Sequence, residues 1–350
     1  MIKIGERVVT IKEVVMASLL ILVALAAVWA MVLSKPKPII SHAPQPAASN
    51  IVLLQGGSPG SGPGQFAYPR GIAVNSKGDI FVADSKNHRI QKFSSKNWQF
   101  QSEFGGFGNV GGGDAKKLAA ALPGKLNEPN GISIGSDDTI YVADTWNARI
   151  QVFNKNGNQK LAFAAEDGFW GPREVTVDAN GFIYVADTGK HRVIKFDPKG
   201  QKIRTWCAVD PKTGAPVPGT KPGEFNEPIG LAIDQAGNLY VADRLNFRIQ
   251  VFAPEGQFLR QWTVKGWVKD QVDMEPHLAL DKAKQILYVS DGRGKQVLCY
   301  HLDGTLFSTI AKDSVGNDLF RVPMGLTVDK DGNLLVVDAG AGILFKVKGQ

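Results

Sequence analysis

Six proline–aspartate pairs divide most of this chain into similar units. In each pair the aspartate follows the proline by fifteen residues, and the pairs are Pro69/Asp84, Pro129/Asp144, Pro172/Asp187, Pro228/Asp243, Pro276/Asp291 and Pro323/Asp338. The residues within the pairs match one another, as in PNGISIGSDDTIYVAD and PREVTVDANGFIYVAD. Self-similar units at a period of roughly 40 to 60 residues indicate a repeat architecture.

Each unit has the pattern of a small antiparallel sheet. In the first unit, residues 71–74 and 80–83 are apolar runs of strand length, with turn residues between them, so they are expected to pair as a hairpin. Residues 89–93 alternate as in a half-buried strand, and residues 99–104 supply a fourth strand. Four-stranded sheets repeated around an axis leave only short, protected edges. The sequence therefore predicts an all-β, six-bladed β-propeller of four-stranded blades.

The aspartate of each unit is predicted to end the second strand. Four units place an arginine five residues later, giving the pairs Asp84/Arg89, Asp144/Arg149, Asp187/Arg192 and Asp243/Arg248. We expect the carboxylate to accept backbone N–H groups of the following turn and to face the arginine, a structural role. Gln296 and Ile343 replace the arginine in the last two units, which predicts altered turns there.

These units resemble NHL repeats. The triplet Asn87-His88-Arg89 falls at the position of the motif that names the family, and the resemblance covers residues 51–350. It implies a β-propeller. The last repeat supplies strands near residues 325–329, 333–337 and 343–347 but no fourth, whereas residues 51–54 form an orphan apolar run before the first repeat. That run is expected to become the outer strand of blade six and to close the ring.

Composition agrees with one large domain. The apolar fraction is 43%, and 39 glycines are present for turns. Cys207 and Cys299 fall in different blades, so no disulfide is expected. The pI is about 9.2, but residues 51–350 carry 35 Lys/Arg against 31 Asp/Glu, a net of about +4 over the domain. Such a spread charge predicts a solvated surface and no nucleic-acid partner.

The N-terminal region changes the expected location. Residues 14–33 form an uncharged apolar run of twenty residues, long enough to cross a hydrocarbon core as a helix. This predicts a cytoplasmic segment at residues 1–13, a transmembrane signal-anchor at 14–33 and a proline-rich stalk at 34–50. The rival interpretation is a signal peptide cleaved at Ala24-Leu25-Ala26. Both place the propeller on the periplasmic or extracellular side.

Signals for catalysis are sparse. The resemblance extends to peptide-amidating lyases, which hold a channel zinc with histidines that directly follow the strand-opening proline. Only His277 occupies such a position; the others are Arg70, Asn130, Arg173, Ile229 and Met324. Zinc needs three or four protein ligands. Lactonase-like propellers bind a metal through acidic and amide residues, and Glu174 with Asn130 supplies only two. No catalytic residue, metal or cofactor is therefore assigned, although a channel lyase or hydrolase stays open as the alternative.

Signals for binding are stronger and fall on one face. Strand direction places the long insertions at residues 105–128, with Lys116 and Lys117, and at 208–227 on the same side as the turns between second and third strands. These turns carry the apolar residues Trp146, Leu245 and Phe247, which resemble interface anchors; the alternative is that they fold back on neighbouring blades. Arg70, Asn130, Arg173, Glu174 and His277 are predicted at the channel mouth on this face. The resulting hypothesis is a protein-binding or assembly scaffold.

Overall fold

The computed structural model describes residues 2–4, 7–9, 52–111, 117, 120–267, 275–313 and 316–350. Residues 52–350 within these ranges form six four-stranded antiparallel sheets, which confirms the predicted six-bladed propeller. The predicted anchor at residues 14–33, the predicted stalk at 34–50 and Lys116 lie outside the described residues. Ile2–Ile4 and Arg7–Val9 pair as two short antiparallel strands. Among the residues described, no helix is long and apolar enough to cross a membrane.

The four strands of each blade lie side by side, from the inner strand at the central channel to the outer strand at the surface. The inner strands are Gly71–Val74, Pro129–Ile134, Pro172–Val177, Pro228–Ile233, Leu278–Asp281 and Pro323–Val328. The second strands are Ile80–Asp84, Ile140–Asp144, Ile183–Asp187, Leu239–Asp243, Ile286–Asp291 and Leu334–Asp338. The third strands are Arg89–Phe93, Arg149–Phe153, Arg192–Phe196, Arg248–Phe252, Gln296–His301 and Ile343–Val347. The outer strands are Phe100–Gly105, Gln159–Phe163, Lys202–Trp206, Phe258–Thr263, Leu306–Ile310 and, for blade six, Val52–Gly56.

The ring closes as the sequence predicts. Val52–Gly56 pairs antiparallel with Ile343–Val347, with Val52 opposite Val347 and Gly56 opposite Leu344. Blade six thus takes three strands from the end of the chain and its outer strand from residues that precede blade one.

The third strands are more deeply buried than their alternating pattern predicts. Arg149–Phe153 and Arg248–Phe252 are buried at every position. The prediction of half-burial is wrong because neighbouring blades cover both faces of a middle strand, so the polar residues also point into protein. Gln151 and Gln250 are fully buried, and their amides hydrogen-bond to the aspartates of the second strands.

The core consists of apolar clusters between adjacent blades. One cluster joins blades four and five through Tyr240, Ile249 and Leu287, and the described residues form five more of this kind around the ring. Buried hydroxyls add polar links: Ser85 Oγ donates to the Pro129 carbonyl, and Thr145 Oγ1 donates to that of the next blade's proline, 2.9 Å away. Each blade is therefore stabilised mainly by its two neighbours.

The two ends of the propeller differ in structure. We call the end that carries the connections between blades and the turns from second to third strands the loop face, and the opposite end the hairpin face. On the loop face these turns are single 3₁₀ turns in blades one to four, at Ser85–Asn87, Thr145–Asn147, Thr188–Lys190 and Arg244–Asn246. Blades five and six have turns without a 3₁₀ helix, as the missing arginines predict.

Short strands also occur in the connections between blades. Ser58–Pro59 pairs with Gln65–Phe66 before blade one. Ala208–Val209 pairs with Pro216–Val217 in the insertion before blade four. Cys207 and Cys299 are both free.

Candidate functional site

The residues predicted at the channel mouth are brought together by irregular starts of the inner strands. Pro129 pairs with Asp144, but regular pairing resumes only at Ile132, and a similar irregularity follows Pro172. Residues directly after these prolines are thereby released from the sheet register. Their side chains can turn toward the channel where the strands begin at the loop face.

Close approach of neighbouring inner strands leaves space only for glycine at some of these positions. A Cβ atom on Gly71 would lie 2.3 Å from the Asn130 carbonyl oxygen, and one on Gly325 would lie 2.2 Å from that of Arg70. Because real Cβ contacts are never this short, the backbone can close the ring here only with glycine. Blade three instead carries Glu174 at this position, and its carboxylate lies at the channel.

A glutamate that sequence reasoning missed connects the predicted residues. Glu275 forms ion pairs with Arg173 through Oε1 and with Arg70 Nε through Oε2, the latter at 2.9 Å. Asn130 Nδ2 donates to the same Oε2 over 3.4 Å. Glu275 precedes blade five, whereas the two arginines belong to blades one and three, so the cluster crosses the channel. We call Arg70, Asn130 and Arg173 the carboxylate cradle.

The contacts of Glu275 leave the cradle incompletely matched. The short contact to Arg70 Nε lacks hydrogen-bond alignment, so it is an ion pair only. Asn130 Oδ1 is buried without a hydrogen-bond partner. Burial raises the pKa of Glu275, but Arg70 and Arg173 outweigh this effect and hold it below its usual range. The carboxylate is therefore ionised at neutral pH.

A second pair lies beside the cradle. His277 Nδ1 is 2.7 Å from Glu174 Oε2, and both side chains are buried. His277 Nε2 has no hydrogen-bond partner. An imidazole whose Nδ1 faces a carboxylate places its proton there in the neutral form, which leaves Nε2 as an acceptor.

The channel below this cluster is hollow. A cavity of about 480 Å³ is lined by all six inner strands, from Glu174 and His277 to the hairpin-face residues Asp329 and Lys330. The volume lies in the range of small-molecule pockets. Within the described residues no group of three or more His, Cys, Asp or Glu side chains could hold a metal ion.

Exposed aromatic residues surround the cradle on the loop face. Trp146 is 48% exposed, and the Arg173 guanidinium lies 5.6 Å from its ring centroid. Tyr68 is 36% exposed and packs in the same way on Arg70, at 4.9 Å. Trp170 and Phe107, at 63% and 60% exposed, lie in connections between blades. Trp146 lies in the turn Thr145–Asn147 between the second and third strands of blade two. Sequence reasoning did not single out Tyr68, Phe107 and Trp170, because the other blades have no aromatic residue at the positions of Tyr68 and Trp170 before the proline, and Phe107 lies in an insertion.

The other predicted loop-face residues have different environments. Phe247 is partly buried and packs against the core between blades four and five. It therefore folds back on neighbouring blades, which was the alternative to an interface anchor. Its backbone is left-handed, with φ of 56°. Leu245 is half-buried, and its N–H donates to the Asn226 carbonyl. Lys117 is exposed.

The aspartate–arginine pairs form buried networks. Each of the four arginines donates from Nε to its aspartate at 2.7 to 2.8 Å. The predicted donor is wrong in these four blades: Asp144, like the other three aspartates, accepts from a backbone N–H seventeen residues upstream, that of Asn127, and not from the following turn. The reason is that the incoming connection passes beside the end of the second strand. In blades five and six the following turn does donate, through the N–H groups of Gly294 and Ala341. Burial raises the pKa of Asp144, against the effect of Arg149 and the amide donors.

The histidines of the turn motif have a structural contact. His88 Nδ1 accepts the backbone N–H of Glu128 at 3.0 Å, and His191 Nδ1 accepts that of Glu227 at 3.1 Å. Both therefore join a turn to the next connection on the loop face. Burial lowers the pKa of each imidazole, which keeps the acceptor nitrogen unprotonated at neutral pH.

Comparisons with known proteins agree with this structure. The NHL repeat model matches residues 66–93 and 225–252, and the SMP-30/Gluconolactonase/LRE-like region matches residues 99–209. Among curated proteins, "Protein brain tumor" of Drosophila melanogaster is 35% identical over 105 residues, which are 29% of this chain and 9% of that protein. The human "E3 ubiquitin-protein ligase TRIM32" is 27% identical over 137 residues, 36% of this chain and 20% of that protein. The chain thus spans a fifth or less of these two relatives.

A solved structure shows the same fold. The gluconolactonase of Xanthomonas campestris superposes with a TM-score of 0.57 at 16% identity, covering 81% of this chain and 87% of that one. At this identity the likeness concerns the fold alone. This chain is therefore a six-bladed β-propeller in which two segments match the NHL repeat.

Proposed function

We propose that this chain is a protein-docking or assembly module that binds its partner with the loop face. The observation that carries the proposal is the group of exposed aromatic residues Tyr68, Phe107, Trp146 and Trp170 on that face. Exposed aromatic anchors beside polar and charged groups are typical of protein interfaces. The turns of the hairpin face are polar, as at residues 75–79 and 329–333. A relative that is by name an E3 ubiquitin-protein ligase also acts on proteins.

We further propose that the module is anchored in a membrane and faces the periplasm or the cell exterior. The support is the uncharged apolar run at residues 14–33, followed by a proline-rich stretch at 34–50. A tethered propeller would meet its partner proteins at the same membrane.

Replacement of Trp146 tests the docking face. The full chain carrying Trp146→Ser should capture its partner from detergent-solubilised native membranes more weakly, by about 1–2 kcal/mol, or roughly 5- to 30-fold. Its melting temperature should stay near that of the wild type because the ring is half exposed.

Two variants serve as controls. Phe247→Ser should lower the melting temperature, since that ring packs on the core between blades four and five, and should leave capture by the folded fraction intact. Lys77→Glu on the hairpin face should change neither the melting temperature nor partner capture. Undiminished capture by Trp146→Ser, or loss of capture by Lys77→Glu, would contradict the assignment of the loop face.

An enzyme with its site in the channel is the second candidate. The SMP-30/Gluconolactonase/LRE-like match favours it, because residues 99–209 include Asn130, Arg173 and Glu174. The pairing of Glu275 with two guanidinium groups opposes a metal there, since these cations repel another cation. Metal analysis of the purified chain separates the candidates: a stoichiometric ion that is lost with Glu174→Gln would favour the enzyme.

A further inference from the structure

The carboxylate cradle has the donor set of a recognition site. Two guanidinium groups and one amide converge on a single carboxylate from three blades. Arginine pairs carboxylates with strong, directional hydrogen bonds, so such an arrangement selects this group by charge and by shape. The group that fills the cradle is a side chain of the same molecule.

Glu275 fills the cradle imperfectly. Its contact with Arg70 Nε lacks hydrogen-bond alignment, and the bond from Asn130 is long at 3.4 Å. Asn130 Oδ1 also stays buried without a partner, but it is an acceptor, and a carboxylate cannot satisfy it. Buried polar groups in folded proteins are usually satisfied, and a buried charge is costly unless it is well hydrogen-bonded. A carboxylate delivered from a different direction could satisfy the same donors better.

The cradle is continuous with the exposed surface. The Arg173 guanidinium pairs with Glu275 and also lies over the face of the Trp146 ring. The Arg70 guanidinium contacts Glu275 and the Tyr68 ring in the same way. Both rings are exposed to solvent in part. A ligand that places a carboxylate on the arginines therefore brings its neighbouring groups onto two aromatic rings. This arrangement suits a peptide side chain next to an acidic residue better than it suits a small free acid.

We propose that the carboxylate cradle binds an acidic side chain of a partner peptide, and that Glu275 occupies it as an internal competitor. The inference rests on the proposed docking function and names the chemistry of the partner segment: a glutamate or aspartate flanked by apolar residues. Occupation by the partner requires withdrawal of Glu275, because Arg70 and Arg173 cannot pair with two carboxylates in the same place. The measured affinity is therefore lowered by the fraction of molecules in which Glu275 is bound.

Charge balance supports an acidic occupant. With Glu275 in place, the cations Arg70, Arg173 and Lys86 are matched by Glu275 and Glu128, with which they pair, and by Glu174, which contacts His277 in the neighbouring pair. Withdrawal of one carboxylate leaves the group with a positive excess, and Arg173 then has no carboxylate among the ion pairs described for it. Only an anionic group restores the balance.

The test uses two labelled peptides and fluorescence anisotropy with the full chain in detergent. In the first peptide glutamate alternates with phenylalanine, and in the second glutamine replaces every glutamate. Glu275→Gln and Glu275→Ala should each bind the acidic peptide at least tenfold more tightly than the wild type. The control Glu166→Gln removes a mostly exposed loop-face carboxylate paired with Lys202 and should bind like the wild type. Adding Arg173→Ala to Glu275→Ala should abolish the gain.

Several results would overturn the inference. The first is no gain in affinity for the acidic peptide in folded Glu275 variants, and the second is an equal gain in affinity for the glutamine peptide. The third is displacement of the labelled peptide by glutarate, a free diacid without apolar neighbours, at the same concentration as by unlabelled acidic peptide. If both Glu275 variants lose their fold, the wild type is compared with Arg173→Gln. Arg173→Gln should bind the acidic peptide more weakly than the wild type, and equal binding by the two proteins would refute the cradle.

Failure of this inference can be told apart from failure of the docking function. If partner capture depends on Trp146 but the Glu275 variants show no higher affinity for the acidic peptide, only the proposal about the cradle is refuted. Capture that is independent of Trp146, with peptide binding enhanced by Glu275→Ala, would remove only the docking assignment.

Discussion

Removal of the strand that closes the ring should destabilise the whole propeller. The comparison is between chains that begin at residue 51 and at residue 57. The shorter chain lacks Val52–Gly56, the outer strand of blade six. Blade six would then end at Ile343–Val347 with an unpaired edge.

The size of the effect follows from what that strand covers. Four residue pairs join it to Ile343–Val347. At roughly one hydrogen bond per pair and a net of about 0.5–1.5 kcal/mol per bond, their loss costs about 2–6 kcal/mol. Leu344 and Phe345, now 1% and 5% exposed, would gain contact with water, which adds about 1–2 kcal/mol. With an unfolding entropy of roughly 2.1 cal/mol/K per residue over about 300 residues, the total loss of about 3–8 kcal/mol corresponds to a decrease of about 5–13 °C in melting temperature.

Differential scanning calorimetry of the two chains measures this decrease. A suitable control is Leu53→Ser, since that side chain is already 46% exposed and its replacement removes no strand pairing. Equal melting temperatures for the two truncations would refute the reasoning, because they would show that closure by Val52–Gly56 contributes nothing to the fold.

Three further predictions concern the anchor, a buried ion pair and the turn histidines. Full-length chain should remain with membranes after high-salt and alkaline washing if residues 14–33 span the bilayer; release with a new N-terminus near residue 27 would indicate a cleaved signal. Arg149→Leu removes the counter-ion of the buried Asp144 and should cost about 3–5 kcal/mol. Arg149→Gln should cost less, because in blade five Gln296 already donates to Asp291; equal melting temperatures for the two variants would contradict this. For His88 and His191, a folded pKa below the unfolded value near 6.5 means that stability is full above about pH 6.5 and falls as the pH drops toward the folded pKa. Urea unfolding of the double variant His88→Asn/His191→Asn should show a smaller decrease between pH 7 and 5.

The fold was predictable because each blade repeats the same local sequence pattern of strands and turns. The proline–aspartate spacing marks the inner hairpin in all six units. Blade six is the one sheet that lacks a fourth strand in its own repeat, so the apolar run at residues 51–54 was expected to pair with it. Burial of the third strands was not predictable from one unit. Their alternation in polarity indicates a solvent-facing side, but the neighbouring blade occupies that side, and Gln151 is buried to bind Asp144.

The candidate site was predictable only in part, since its key contact is made between distant repeats. The residues after the prolines were expected at the channel mouth, and Arg70, Asn130 and Arg173 do meet there. Glu275 is 102 residues from Arg173 in the chain, and only the curvature of the ring brings blades one, three and five to a common axis. A signal was nevertheless present: glutamate also precedes the strand-opening proline at Glu128 and Glu227.

The three glutamates that precede prolines show how one sequence position acquires two roles. Glu128 contacts Arg70 and Lys86, and Glu227 contacts Arg244. Both therefore pair with cations at the rim of the loop face and help to fix the connections between blades. Glu275 instead pairs with arginines from blades one and three across the channel. Its pairing therefore depends on three blades at once, so any ligand that competes for Arg70 and Arg173 acts on the closed ring and not on a single repeat.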